Sequence, residues 1–123
     1  MKLQLETATS LNAFTGYGAG YVMVNHRRHE RNLVVLRDQL VTGWHSGGFD
    51  DLNAGHFARL AELAPEIVLL GTGERLRFPP PELTRALIEA GIGLEVMDLK
   101  AACRTYNFLA AEERKVAAAL LFS

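Results

Sequence analysis

Pro65-Glu66-Ile67-Val68-Leu69-Leu70-Gly71-Thr72-Gly73 is an apolar run that ends abruptly at two glycines flanking a threonine. A strand hidden on both faces loses the polar alternation of a half-exposed one, so the run predicts the central strand of an α/β sheet. Gly71, Thr72 and Gly73 then fall at its carboxyl end, where open α/β sheets tend to bind ligands.

Reading outward from this strand, the period changes on both sides. Before it, Phe57, Leu60, Ala61 and Ala64 follow the i, i+3, i+4, i+7 spacing of a helix face. Asp51 or Asn53 can cap that helix, and Pro65 stops it. After it, Pro79, Pro80 and Pro81 lead into a helix with Leu83, Ala86, Leu87 and Ala90 on its apolar face and Gly91 as its cap. Residues 92–97 read as a strand. Asp98 caps a third helix whose apolar face is Leu99, Ala102, Cys103, Tyr106 and Ala110, and residues 116–122 form a last, alanine-rich strand. Helix and strand alternating from Leu52 onward predict largely parallel pairing. The last strand can join antiparallel or lie at an edge, open to another chain.

The amino-terminal third has a different texture. Residues 21–24 and 33–36 are rich in strand formers and flank the wholly polar run 25–32, the pattern of a β-hairpin around a loop. A third strand over residues 39–42 completes a β-meander. Gly16, Gly18 and Gly20 have no strand leading in and no helix following, so they mark a bulge or bend and not a dinucleotide loop. The alternation of Leu3 and Leu5 within residues 1–10 fits an edge strand or a loosely held arm.

Composition narrows the function classes. A chain of 123 residues suits one domain over residues 1–123. A net charge of −1 argues against nucleic acid as a partner, since phosphate binding needs a basic face. The single cysteine, Cys103, makes neither an internal disulfide nor a cysteine zinc site, which fits a reducing compartment. No segment approaches the roughly 20 apolar residues of a membrane helix. The amino terminus has no signal-peptide core and no arginine-rich amphipathic pattern, so a soluble, cytoplasmic protein is expected.

Two segments are familiar together: residues 65–73 followed by Phe78-Pro79, and Ala101-Ala102-Cys103-Arg104-Thr105-Tyr106-Asn107-Phe108-Leu109 running through Glu113-Arg114-Lys115-Val116. In sequence and spacing the chain resembles an uncharacterised family catalogued as domain of unknown function 498, the Mth-type domain, which includes mitochondrial complex I assembly factor 3. The resemblance implies an α/β, three-layer fold: a mixed, largely parallel central sheet with covering helices and an added amino-terminal antiparallel β-meander layer. No established reaction, substrate or cofactor comes with the family, and no cofactor is expected here.

The chemistry-bearing residues admit two readings each. Glycines at 71 and 73 let a ligand approach the backbone, with the Thr72 hydroxyl holding an anion, or they simply permit a tight turn. Arg104 and Asn107, three apart on the third helix, either reach that loop and bind a carboxylate or phosphate, or serve local bonding near Glu74, Glu112 and Glu113. Tyr106 and Cys103 belong to the buried stripe. His26 and His29 fall on the polar run with Arg27, Arg28 and Arg31, a basic loop able to touch an acidic partner. Trp44 anchors the connection after residue 42, and Ser46 lacks a nucleophile-elbow context. No metal set and no paired carboxylates stand out. The leading expectation is a non-enzymatic interaction or assembly-factor-like protein with a protein partner. The alternative is a small anionic-ligand binder or weak enzyme at Gly71-Thr72-Gly73 with Arg104, and the oligomeric state is open.

Overall fold

The computed structural model describes residues 11–122, so the alternation at Leu3 and Leu5 lies outside the described residues. Strands β1 (Phe14–Gly18), β2 (Tyr21–Val24) and β3 (Arg27–His29) form a three-stranded antiparallel sheet. The polar run 25–32 is therefore not the loop of a hairpin joining residues 21–24 to 33–36. Asn25 and His26 take left-handed φ values of 50° and 69°, close a two-residue turn, and send the chain back as β3. Ladder hydrogen bonds come from backbone groups, so polar side chains do not prevent a strand that lies at the surface.

Strands β4 (Leu33–Leu36) and β5 (Gln39–Thr42) pair as the last two strands of the expected meander, but they belong to the other sheet. After them come helix α1 (Ala54–Glu62), β6 (Ile67–Thr72), helix α2 (Arg85–Glu89), β7 (Gly93–Met97), helix α3 (Leu99–Ala111) and β8 (Val116–Leu121). The order β5-β4-β8-β6-β7 makes this a mixed sheet, parallel from β8 to β7 and antiparallel from β8 to β5. β6 is interior, as its apolar run requires, and residues 68–72 are all buried. The middle strand is β8, so the alanine-rich segment is no edge.

The helix caps fall where the sequence signals place them, but α1 stops at Glu62, and Ala64, expected on its apolar face, is exposed and left-handed at φ 54° ahead of Pro65. Asn53 caps α1, accepting the His56 N–H at 3.2 Å, and Asp98 caps α3, accepting the Ala101 N–H at 2.9 Å. Gly91, at φ +72°, closes the turn after α2. A 3₁₀ turn, Pro81–Thr84, takes up the front of the longer helix expected there.

Three layers result. On one face of the five-stranded sheet, Leu69, Ala118 and Leu120 pack against Leu99, Ala102, Cys103 and Tyr106 of α3, together with Phe14, Val22 and Val24 of the small sheet. On the other, Val68, Leu70, Ala117 and Ala119 pack against Phe57 and Leu60 of α1, Leu87 of α2 and Trp44. The connection leaving β6 thus leads to one face and the connection leaving β7 to the other.

Candidate functional site

Because neighbouring strands β6 and β7 send the chain to opposite faces, a crevice opens at their carboxyl ends. Its volume is about 360 Å³, and Gly73, Glu74, Asp98, Leu99 and Lys100 line it beneath Gly18 and Ala19 of the β1–β2 turn.

The expected ligand residues divide sharply at this point. Gly71 faces inward under α3, where a Cβ would stand 3.1 Å from Ala102 Cβ and 2.9 Å from Leu120 Cδ2. Its missing side chain admits a helix. Thr72 is fully buried; its hydroxyl donates to the Arg75 carbonyl at 2.6 Å and accepts the Arg77 N–H at 3.2 Å, pinning the loop after β6. Gly73 does line the crevice, in a left-handed conformation at φ +84°, and its carbonyl accepts the Leu99 N–H at 2.8 Å. That bond and the Asp98 cap satisfy amides of the first turn of α3 with the chain's own oxygens.

Arg104 and Asn107 share a helix face, as their spacing predicts, and that face serves β1. Asn107 makes two hydrogen bonds to the backbone of Phe14, accepting its N–H at 2.9 Å and donating to its carbonyl at 2.8 Å. The Arg104 guanidinium is exposed; its interaction with the Tyr17 hydroxyl, then the charge of Asp98, holds its pKa above the ordinary value. Tyr106, buried in the stripe, finds a single acceptor at the Asn12 carbonyl, 3.1 Å away, and meets Phe14 edge to face at 5.2 Å. These side chains brace the small sheet against α3.

One cluster escaped sequence reasoning. The His45 and His56 rings lie with centroids 4.0 Å apart, tilted at 48°, and each is also edge-on to Trp44. His45 follows β5 and His56 lies in the first turn of α1, so only the folded connection joins them. Burial, then His45, then Arg59 hold the His56 pKa below its ordinary value. Its Nδ1 accepts the Asn53 N–H at 3.0 Å, which requires a neutral ring. Among the described residues no group of three or more His, Cys, Asp or Glu side chains is placed to hold a metal ion. Nor is any helix among them long and apolar enough to cross a membrane.

Residues 14–121 match the family described as protein of unknown function (DUF498/DUF598). The chain is 40% identical over 89 residues, 71% of its length, to NADH dehydrogenase (ubiquinone) 1 alpha subcomplex assembly factor 3 of Bos taurus, covering 48% of that protein. It thus spans about half the length of the curated relatives it first matches. A crystal structure of a Bordetella parapertussis protein superposes with a TM-score of 0.87 at 42% identity, over 94% of this chain and 99% of the other. A solution structure from Bordetella pertussis, a Mth938-like domain, gives 0.77 at 37% identity, over 92% and 87%.

Proposed function

Because this chain belongs to the DUF498/DUF598 family, whose function is unknown, we propose that it is a non-enzymatic interaction protein of the assembly-factor kind. The observation that carries this reading is how the polar atoms around the carboxyl end of β6 are used. The Thr72 hydroxyl, the Gly73 carbonyl and the Asp98 carboxylate each hold the fold together there, as the Asn107 amide does farther along α3. Catalysis by nucleophile or general base needs such groups free and paired with one another. Apolar side chains are meanwhile left at the surface: Phe78 is 68%, Ile88 71% and Phe108 64% exposed. Aromatics such as Phe78 and Phe108 are of the kind that can anchor protein interfaces.

By analogy with the named relatives, the partner is a subunit of a respiratory NADH dehydrogenase, met in a reducing, cytoplasm-like compartment that suits the buried Cys103 thiol. Native gel separation in a strain deleted for this chain is expected to show incomplete dehydrogenase, restored by the wild-type chain. A fully assembled enzyme, with no stable partner recovered at native expression, overturns the reading.

A second reading is a small anion held at Gly73, where adjacent parallel strands part company; the crevice is lined by Lys100 and not by Arg104, so any positive charge there comes from Lys100. A metabolite thermal-shift screen tests it, since a ligand bound to the folded state raises apparent stability.

A further inference from the structure

A larger cleft, about 900 Å³, opens beyond the end of β8, at Phe122. β8 runs parallel to β6 and antiparallel to β4, so the cleft stands at a strand carboxyl end beside the change of direction in the sheet. Its size falls within the roughly 300–1,000 Å³ of small-molecule sites.

Asn32 builds its frame. The side-chain amide donates to the His45 carbonyl at 2.9 Å and the Gly47 carbonyl at 2.7 Å, while Oδ1 accepts the Phe122 N–H at 2.9 Å. One side chain thereby fixes the three segments that wall the cleft. His45, 6% exposed, is held in turn by Nε2 at 2.8 Å from the Gly48 carbonyl; a carbonyl only accepts, so Nε2 carries the proton. A frame set in advance lowers the ordering cost of binding.

The lining is basic and incompletely satisfied. Arg28 lies over the Tyr21 ring at 4.0 Å and pairs with Glu30, which neutralises the one carboxylate in the wall. Arg31 has no carboxylate within ion-pair distance among the described residues. His29 Nε2 is buried and has no hydrogen-bond partner there. A buried polar nitrogen without a partner is rare and calls for one. We propose that this cleft binds a small organic anion, a carboxylate or a phosphate ester, paired with Arg31 and hydrogen-bonded by His29 and Ser46.

The site is separate from the crevice at Gly73, and one experiment distinguishes them. The ¹⁵N-labelled full chain is titrated with succinate in one arm and inorganic phosphate in the other, at constant ionic strength. Saturable shifts are expected at the amides of Arg31, Asn32, Ser46 and Gly47 in at least one arm, and the responding arm names the ligand class. Arg31→Gln, at an exposed position, is expected to weaken binding at least tenfold with the remaining spectrum unchanged, and Arg31→Lys to retain it within a few-fold. Shifts that never saturate, shifts confined to Gly73 and Lys100, or unchanged affinity in Arg31→Gln each overturn the proposal.

Discussion

Gly71 and His56 are each fixed by what stands beside them. At Gly71 a larger side chain meets Leu120 and Ala102, which are themselves buried against α3. Gly71→Val is expected to lower stability by about 1–3 kcal/mol through overpacking, read as a lower urea midpoint with an unchanged slope. Unchanged stability would mean the position has room, as a ligand-approach role requires. For His56, the folded-state pKa lies below 6.5, held there by burial and then by His45 and Arg59. The unfolded chain therefore takes up the proton first, and its uptake favours unfolding. Stability is fully present above about pH 6.5 and declines as pH falls below it, down to the folded-state pKa. Urea midpoints measured across pH 5 to 8 should show this decline, and His56→Gln should reduce its slope; an equal slope in the variant would assign the effect elsewhere.

The elements from α1 to β8 were largely legible because each rests on local signals: a 3.6-residue apolar period, a cap, a proline stop. The buried stripe of α3 follows directly from the spacing of Leu99, Ala102, Cys103 and Tyr106. The polar face of the same helix was not legible. Asn107 bonds to Phe14, 93 positions away, and no local pattern encodes that distance. The expected site at residues 71–73 failed to gather its partners for the same reason: whether Thr72 faces a ligand or its own loop is settled by tertiary packing. The run 25–32 misled differently, since its polarity records exposure and not the absence of a strand. Asn25 is suited to its left-handed turn, with Oδ1 accepting the Ala13 N–H at 3.0 Å, whereas His26 at φ 69° is a residue of ordinary steric demand. His26→Gly completes the Asn-Gly pair that such turns favour and is expected to stabilise by up to about 1 kcal/mol, after the entropy glycine loses. A lower melting temperature in that variant would show that the His26 ring makes a contact worth more than the strain.

At the scale of the molecule, two apolar cores lie on opposite faces of one sheet, and their shared strands decide whether they melt together. β8 alternates between them, sending Ala118 and Leu120 to one core and Ala117 and Ala119 to the other, so neither face opens without disturbing the same ladder. Each core carries one reporter. Cys103 lies fully buried on the inner face of α3, where burial pushes its thiol up to about 12 against the opposing charge of Arg104. The thiolate that attacks a labelling reagent is therefore scarce until that face opens. Trp44, the only tryptophan, is 1% exposed in the other core. If residues 11–122 form one cooperative unit, Cys103 labelling and Trp44 fluorescence follow the same urea transition with the same midpoint and slope. Cys103 labelling at urea concentrations where Trp44 fluorescence is still native would show that α3 and the small sheet open by themselves. The braces from Asn107 to Phe14 of β1 and from Tyr106 to Asn12 just before it argue against that outcome, because they tie the small sheet to the helix that seals the sheet's interior strands.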